Sequence, residues 1–421
     1  MSLLTHILSK PQLCAIYILS ILIHYTQNSF WIIVVLSARL NFSLLEEIAK
    51  PFGLCLIIAG ILDICFGYLN KFINNKFIVM TGLFLLSIGS ILFIYGYSIY
   101  ITYAFLSAGV ASISGNSESW FIRTKNMIAP HIDDSLFIGY LHHGRRISLI
   151  INAITAGLLM TNKSITWYFF AVSSVLALII SCILNSDPSS KSFQEDDLAP
   201  ENLVDFDIIN ILALIGIYFA QFFYGMEMGL RALLFNPFFV YDLGGNSPWM
   251  MSLKTLIAAF AGFLGNKVFI KLIKSNAEPS TNSINLKFLA LSSLIYGAFE
   301  ISTYFITDIF FWLAGLCLSI LSMGWYLPML DAIITRNTPK KYLSMALSIK
   351  SGIHFIVGGM TLILLSEKLT NDNMRFFIFI AGICLTLSSI IYLIAAFKLE
   401  SISTLRIKKY FRLKQDCLKD S

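Results

Sequence analysis

Glu227 and Arg231 stand four residues apart inside a long apolar stretch, and Lys350 and His354 do the same in another. Four residues is just over one helical turn, so each pair shares a helix face, and an acid placed before a base at that spacing forms a favourable ion pair. A charge at mid-bilayer costs several kcal/mol, so each such residue needs a partner or a water-filled cavity. Glu227 and Arg231 meet that need in each other, either beside a binding site or as a pair at the outer interface. Tyr218, Gln221 and Tyr224 precede them, and Gly225, Gly229 and Pro237 weaken the helix and leave backbone groups for ligands. Lys350 lies roughly 12 Å into its stretch at 1.5 Å per residue, which is far to snorkel. Two roles fit it: holding an acidic group on a substrate, or pairing with Glu118 or Asp331.

His24, Gln27, Asn28 and Trp31 recur at i, i+3, i+4 and i+7, a stripe that either lines a cavity or glues packed helices. Glu118 follows the small residues Ser107, Ala111 and Ser114. Its carboxyl suits either a proton relay or an ion pair with Arg145, Arg146 or Arg123. Asp63, a further acid within an apolar stretch, suits either a polar network with the loop that follows it or a substrate ligand. His142 and His143, with His131, read as a solvated connection, because no Cys or carboxylate stands near them at metal-ligand spacing. Seven scattered cysteines without a CxxC pair imply neither disulfides nor a metal. The chain has no Walker loop, no G-x-S-x-G and no HExxH, so nucleotide-driven transport and the common hydrolases find no support, and no enzyme activity, metal or cofactor is expected.

The elements that must position these residues follow from composition. Of 421 residues, 57% are hydrophobic and 13% charged, with a mean hydropathy of +0.76. No soluble core hides so much apolar surface, so the chain is an all-α membrane protein with room for about twelve spans of about 20 residues. Apolar runs place six spans at 11–36, 48–70, 77–96, 99–122, 145–162 and 165–185, and six more at 208–235, 248–272, 286–305, 308–335, 343–366 and 374–397. The division is therefore a first bundle over 1–186, an acidic linker over 187–207, a second bundle over 208–397 and a basic soluble tail over 398–421. With the N-terminus inside, about 21 of the 30 Lys and Arg fall on the cytoplasmic side, which puts both termini and the linker there. The same rule accounts for the net charge of +6 and for the basic tail, which also suits anionic lipid headgroups. The first span lacks a cleavage site and is expected to be retained.

Matching punctuation in the two halves suggests duplication. Gly67, Leu69 and Lys76 after the second span keep step with Gly262, Leu264 and Lys271 after the eighth, and Glu118 with Arg123 echoes Asp331 with Arg336. At this point the chain resembles the major facilitator superfamily. The segment from Gly67 to Lys76 is similar to that superfamily's loop G-x-L-a-D-r-x-G-R-[RK], with Lys71 in the aspartate position and Asn74 and Asn75 for the glycine and arginine. Ser114-Gly115-Asn116-Ser117-Glu118-Ser119-Trp120 resembles the S-G-A-D-E-A-W stretch of one bacterial branch, and the run from Asn337 to Ser348 resembles that branch's n-r-x-P-x-x-x-R-A-x-x-L-S.

The resemblance implies two pseudo-symmetric six-helix bundles that rock about a midplane site, in a monomer of the inner cell membrane. It implies a secondary transporter, with proton-coupled export (antiport) of a drug-like or natural-product molecule as the leading expectation. Export of a self-made peptide antibiotic, uptake of a small nutrient, and a non-transporting receptor or scaffold are the other readings. Spans one and seven flank the central cavity in that superfamily. The expected substrate site is therefore His24, Asn28 and Trp31 facing Tyr224, Glu227, Arg231, Lys350 and His354, with Asp63, Glu118, Arg145 and Asp331 in coupling or gating. The expected partners are this substrate, membrane lipid and a proton, with no nucleic acid.

Overall fold

The structure is a computed structural model that describes residues 10–41, 45–161, 163–184, 208–275, 281–339, 342–370 and 372–419. The linker assigned to 187–207 lies outside these. Among the described residues there are thirteen α-helices. The first half holds α1 (Pro11–Asn41), α2 (Leu45–Leu69), α3 (Asn75–Ile94), α4 (Ile99–Ile113), α5 (Asn116–Ile128), α6 (Asp134–Thr161) and α7 (Lys163–Ile183). The second holds α8 (Ile208–Pro237), α9 (Pro248–Ser275), α10 (Thr281–Thr303), α11 (Ile309–Asn337), α12 (Leu343–Leu365) and α13 (Met374–Lys419). Nine of them are long and apolar enough to cross a membrane. The remaining spans are α1, whose described side chains stop at Gln27, the α4–α5 pair, and α6, which carries His142, His143, Arg145 and Arg146.

Three boundaries differ from the hydropathy reading, each for a physical reason. The fourth span is not continuous over 99–122. Gly115 has φ of +65°, a left-handed conformation that ends α4 and makes Gly115 the N-cap of α5. The fifth span begins at Asp134 rather than at 145, because neighbouring helices shelter a stretch too polar to face lipid. The last helix continues past 397 to Lys419.

Within the first half α3 packs on α4 and α7, and α1 on α6 and α7; within the second, α13 packs on α8 and α10, and α10 also on α11. The halves meet along two seams, α2 against α12 and α6 against α9. Glycines set these distances. Gly60 faces Gly352 across the first seam, and a Cβ on Gly60 would come 2.8 Å from the Gly352 carbonyl. Gly225 and Gly229 do the same for α8 against α12, where a Cβ would meet His354 and Gly358. The glycines that the sequence reading took as openings for ligand are thus helix crossings, as expected where lipid gives apolar side chains no reason to associate and close backbone contact does. Large apolar side chains such as Phe84, Ile154, Phe169 and Leu364 point outward.

Candidate functional site

A cavity of about 380 Å³ lies between the halves, in the size range of small-molecule sites. The first half lines it with Gln27 of α1, Ser114, Gly115, Ser117 and Glu118 at the α4–α5 break, and Arg145 and Leu149 of α6. The second half supplies Tyr224 and Arg231 of α8, Lys254 and Thr255 of α9, Tyr296 of α10, Asp331 of α11, and Lys350, Ser351 and His354 of α12. The break at Gly115 matters here, because it puts Glu118 in the first turn of α5. The unpaired N–H groups of that turn favour an acid. A discontinuous span whose helix end faces a midplane cavity is a recurring form of transporter binding site.

Asp331 is the centre of the polar cluster at the end of the cavity nearest the linker, the end where α7 finishes and α8 begins. Lys350 Nζ is 2.5 Å from its Oδ1, and His142 Nε2 donates to its Oδ2 at 2.9 Å. All three side chains are buried or nearly so. The sequence reading offered Lys350 either a substrate acid or a bundle acid, and Asp331 is the acid it meets. His142 does not lie in a solvated loop. It is buried on α6, its ring stacked 6.4 Å from that of His24. Candidate ligand atoms of Glu118, His142 and Asp331 lie within 4.8 Å of one another. The Lys350 ammonium already supplies the positive charge these groups require, so a divalent ion would have to displace it.

Asp63 is buried and accepts from Ser351 Oγ at 2.5 Å, tying α2 to α12. Nearby Asn70 of the loop after α2 bonds both Asn116 and Ser344, so that loop also reaches across the halves. Arg336 completes this layer with a 2.8 Å bond to Ser135.

Deeper in the second half, Glu227 lies 2.5 Å from Arg231 Nε, and Arg231 reaches the Tyr296 hydroxyl at 3.3 Å. The carboxyl group of Glu300 on α10 lies close enough to act electrostatically on Glu227 and Arg231, and both glutamates are 0% exposed. Two carboxyl groups therefore face one guanidinium in a dry site. Beside them the Tyr224 ring stacks on Tyr326 and touches His354, which bonds Gln221.

Of the predicted site residues, Tyr224, Arg231, Lys350, His354, Glu118, Arg145 and Asp331 come together at the cavity. Glu227, His24 and Asp63 lie just behind the lining, each bonded to a residue of it. The side chains of Asn28 and Trp31 fall outside the described residues. Glu300, Lys254 and Tyr296 went unnoticed in the sequence. For the first two the signal was present, an ionisable residue within an apolar span.

The chain aligns over 91% of its length with 98% of the E. coli fucose:proton symporter FucP in a variant form, at 16% identity and a TM-score of 0.59. It aligns to the same extent with FucP in the outward conformation, described as a major facilitator superfamily transporter, at 17% identity and a TM-score of 0.59. The chain has the fold of the major facilitator superfamily. No protein-family model and no curated protein matches its sequence. At this identity the likeness speaks for the fold, so the residues of the cavity have to carry any functional reading. In the terms of that fold, the cavity lies between the two halves, and the described residues that line it come from four helices of the first and five of the second.

Proposed function

We propose that the chain is a secondary active transporter that moves a small polar molecule through this cavity by alternating access and couples the movement to protons. The observation that carries the reading is the placement of charged side chains from both halves on one cavity. A receptor or scaffold has no need to keep so many costly charges between two packed bundles. The likeness to a proton symporter's fold and the fourth-span motif support transport, and the motif, drawn from an exporting branch, supports outward movement of a drug-like or natural-product cargo.

The Glu227–Glu300 pair is the best candidate for the proton carrier. One guanidinium balances one carboxylate, and two like charges close together in a low-dielectric site favour one proton between the two carboxyls. Arg231, itself bonded to Tyr296, keeps Glu227 in place as that proton comes and goes. Glu118, the other predicted carrier, is already supported by a helix end and by nearby Lys350 and Arg145.

The test uses proteoliposomes with a compound panel, with and without a pH gradient. Glu300→Gln keeps the Glu227–Arg231 ion pair but removes the second titrating group. Gradient-driven accumulation should be lost in this variant while exchange of cargo across the membrane persists. Unchanged pH-driven transport in Glu300→Gln, Glu227→Gln and the double variant would reject the pair.

A further inference from the structure

The cargo class can be read from the charges that the cavity leaves unmatched. Four cations line it: Arg145, Arg231, Lys254 and Lys350. Arg231 is matched by Glu227, and Lys350 by Asp331. Glu118 is the one lining acid left, and Arg145 and Lys350 both lie within its field. With one proton held between Glu227 and Glu300, four cations face three anions.

Among the described residues neither Arg145 nor Lys254 forms an ion pair, and Lys254, unlike Arg145, has no acid acting on it at all. Its side chain is buried on α9, with the residue 8% exposed. Its described neighbours are the amide oxygen of Asn236, which accepts a hydrogen bond from Nζ, and the face of the Phe239 ring, whose centroid is 5.0 Å away. Neither carries a full negative charge, and among the described residues no carboxylate pairs with it. An unpaired ammonium inside a membrane protein is costly, and one that opens onto a cavity rather than onto lipid marks a substrate path. The surroundings suit an anion as well. Asn236, Thr255, Tyr296 and Arg231 line the cavity with Lys254 and offer amide, hydroxyl and guanidinium donors.

We propose that the cavity selects an anionic cargo, of the class of small monocarboxylates, whose negative charge is held by Lys254, with Arg231 as a further cation of the same lining. The inference rests on the transporter reading for its route and on the proton held by Glu227 and Glu300 for its count of charges, while the Lys254 site stands on its own lining. An uncharged lipophilic molecule would leave Lys254 buried and unmatched, and a cation would add to a surplus already present. Apolar lining from Met228, Phe235, Leu316 and Ile320 would cover the rest of the cargo.

The experiment measures ligand-induced thermal stabilisation of the full chain in lipid nanodiscs. The probes are matched sets on one skeleton: benzoate, benzamide and benzylamine, then glucuronate, glucose and glucosamine, then further carboxylates with their amides and amines. Carboxylates are expected to bind at least tenfold more tightly than their neutral and cationic counterparts. Lys254→Met should erase that preference, and Lys254→Arg should keep most of it. Neutral or cationic members binding as well as the carboxylates, no carboxylate binding at all, or an unchanged preference in a folded Lys254→Met protein would each overturn the proposal. The wild-type panel decides the matter even if Lys254→Met fails to fold. Counterflow of each binder in proteoliposomes separates the two readings. Binding of carboxylates without counterflow sinks the transporter and spares the anion site, whereas counterflow of neutral or cationic binders alone does the reverse.

Discussion

Replacing His142 with Phe isolates one contact between the halves. His142 belongs to the first half and Asp331 to the second, and their 2.9 Å hydrogen bond lies in the polar layer near the linker end. The substitution is unusually clean. Among the described residues the other ring nitrogen, Nδ1, is buried without a partner, so a phenyl ring abandons nothing on that side, and Asp331 keeps its 2.5 Å contact with Lys350. What is lost is one hydrogen bond to a charged group, worth about 1.5–3 kcal/mol. Alternating access requires this layer to part, so the loss should move the closed-to-open ratio at that end about 10- to 150-fold toward open. The opposite end offers little to offset it, because its Lys50–Glu367 bridge, at 3.3 Å, has side chains 50% and 78% exposed and contributes about 0–1 kcal/mol. Spin labels on unnatural amino acids at the exposed positions Asp133 and Lys271, one in each half, report the separation by pulsed electron resonance. A new, longer distance population should appear in His142→Phe. An unchanged distribution in a monodisperse, folded variant would refute the claim that this bond helps hold the linker end shut.

Two further outcomes follow from packing. Lys350→Met strips Asp331 of its ammonium partner and should cost about 3–5 kcal/mol of stability, and adding Asp331→Asn should restore most of it; equal losses in single and double variants, measured by unfolding in mixed micelles, would mean that the pair is not coupled. Gly229→Ala would bring a Cβ within 2.5 Å of the Gly358 carbonyl, forcing α8 from α12 at about 1–3 kcal/mol, and a variant as stable as the parent would contradict that crossing.

The spans were legible because hydropathy is a local property, and lipid demands it residue by residue. The Glu227–Arg231 pair was legible for the same reason, since both partners sit on one helix four residues apart. Partners on different helices were not. Periodicity gives the face on which Glu300 lies but not that Glu227 of α8 is turned toward it, and Lys254 reads like an interfacial lysine until burial shows that it cannot reach lipid headgroups. His142 misled in the other direction. Its neighbours His143, Gly144, Arg145 and Arg146 have the composition of a loop, yet a helix shielded by α1, α9 and α11 can be polar and still cross the membrane. Asp331 and Glu118 were found through the repeat, and both line the cavity, which is what a repeat that places equivalent acids in equivalent spans would produce.

The break at Gly115 makes the fourth span a jointed part rather than a rod. Its first piece, α4, is clamped to α3, where a Cβ on Gly82 would strike the Gly109 carbonyl at 2.8 Å. Its joint presses on the other half, the place of a Gly115 Cβ lying 2.9 Å from Ser348 Oγ and 3.0 Å from its backbone nitrogen. Its second piece, α5, is held by α3 on one side and α12 on the other. A push at the linker end therefore need not travel the length of the span: it can be taken up as rotation at one residue that already sits outside helical geometry. The two pieces thus meet at a joint rather than forming one rod, and Glu118, one turn from that joint, belongs to the piece that touches both halves.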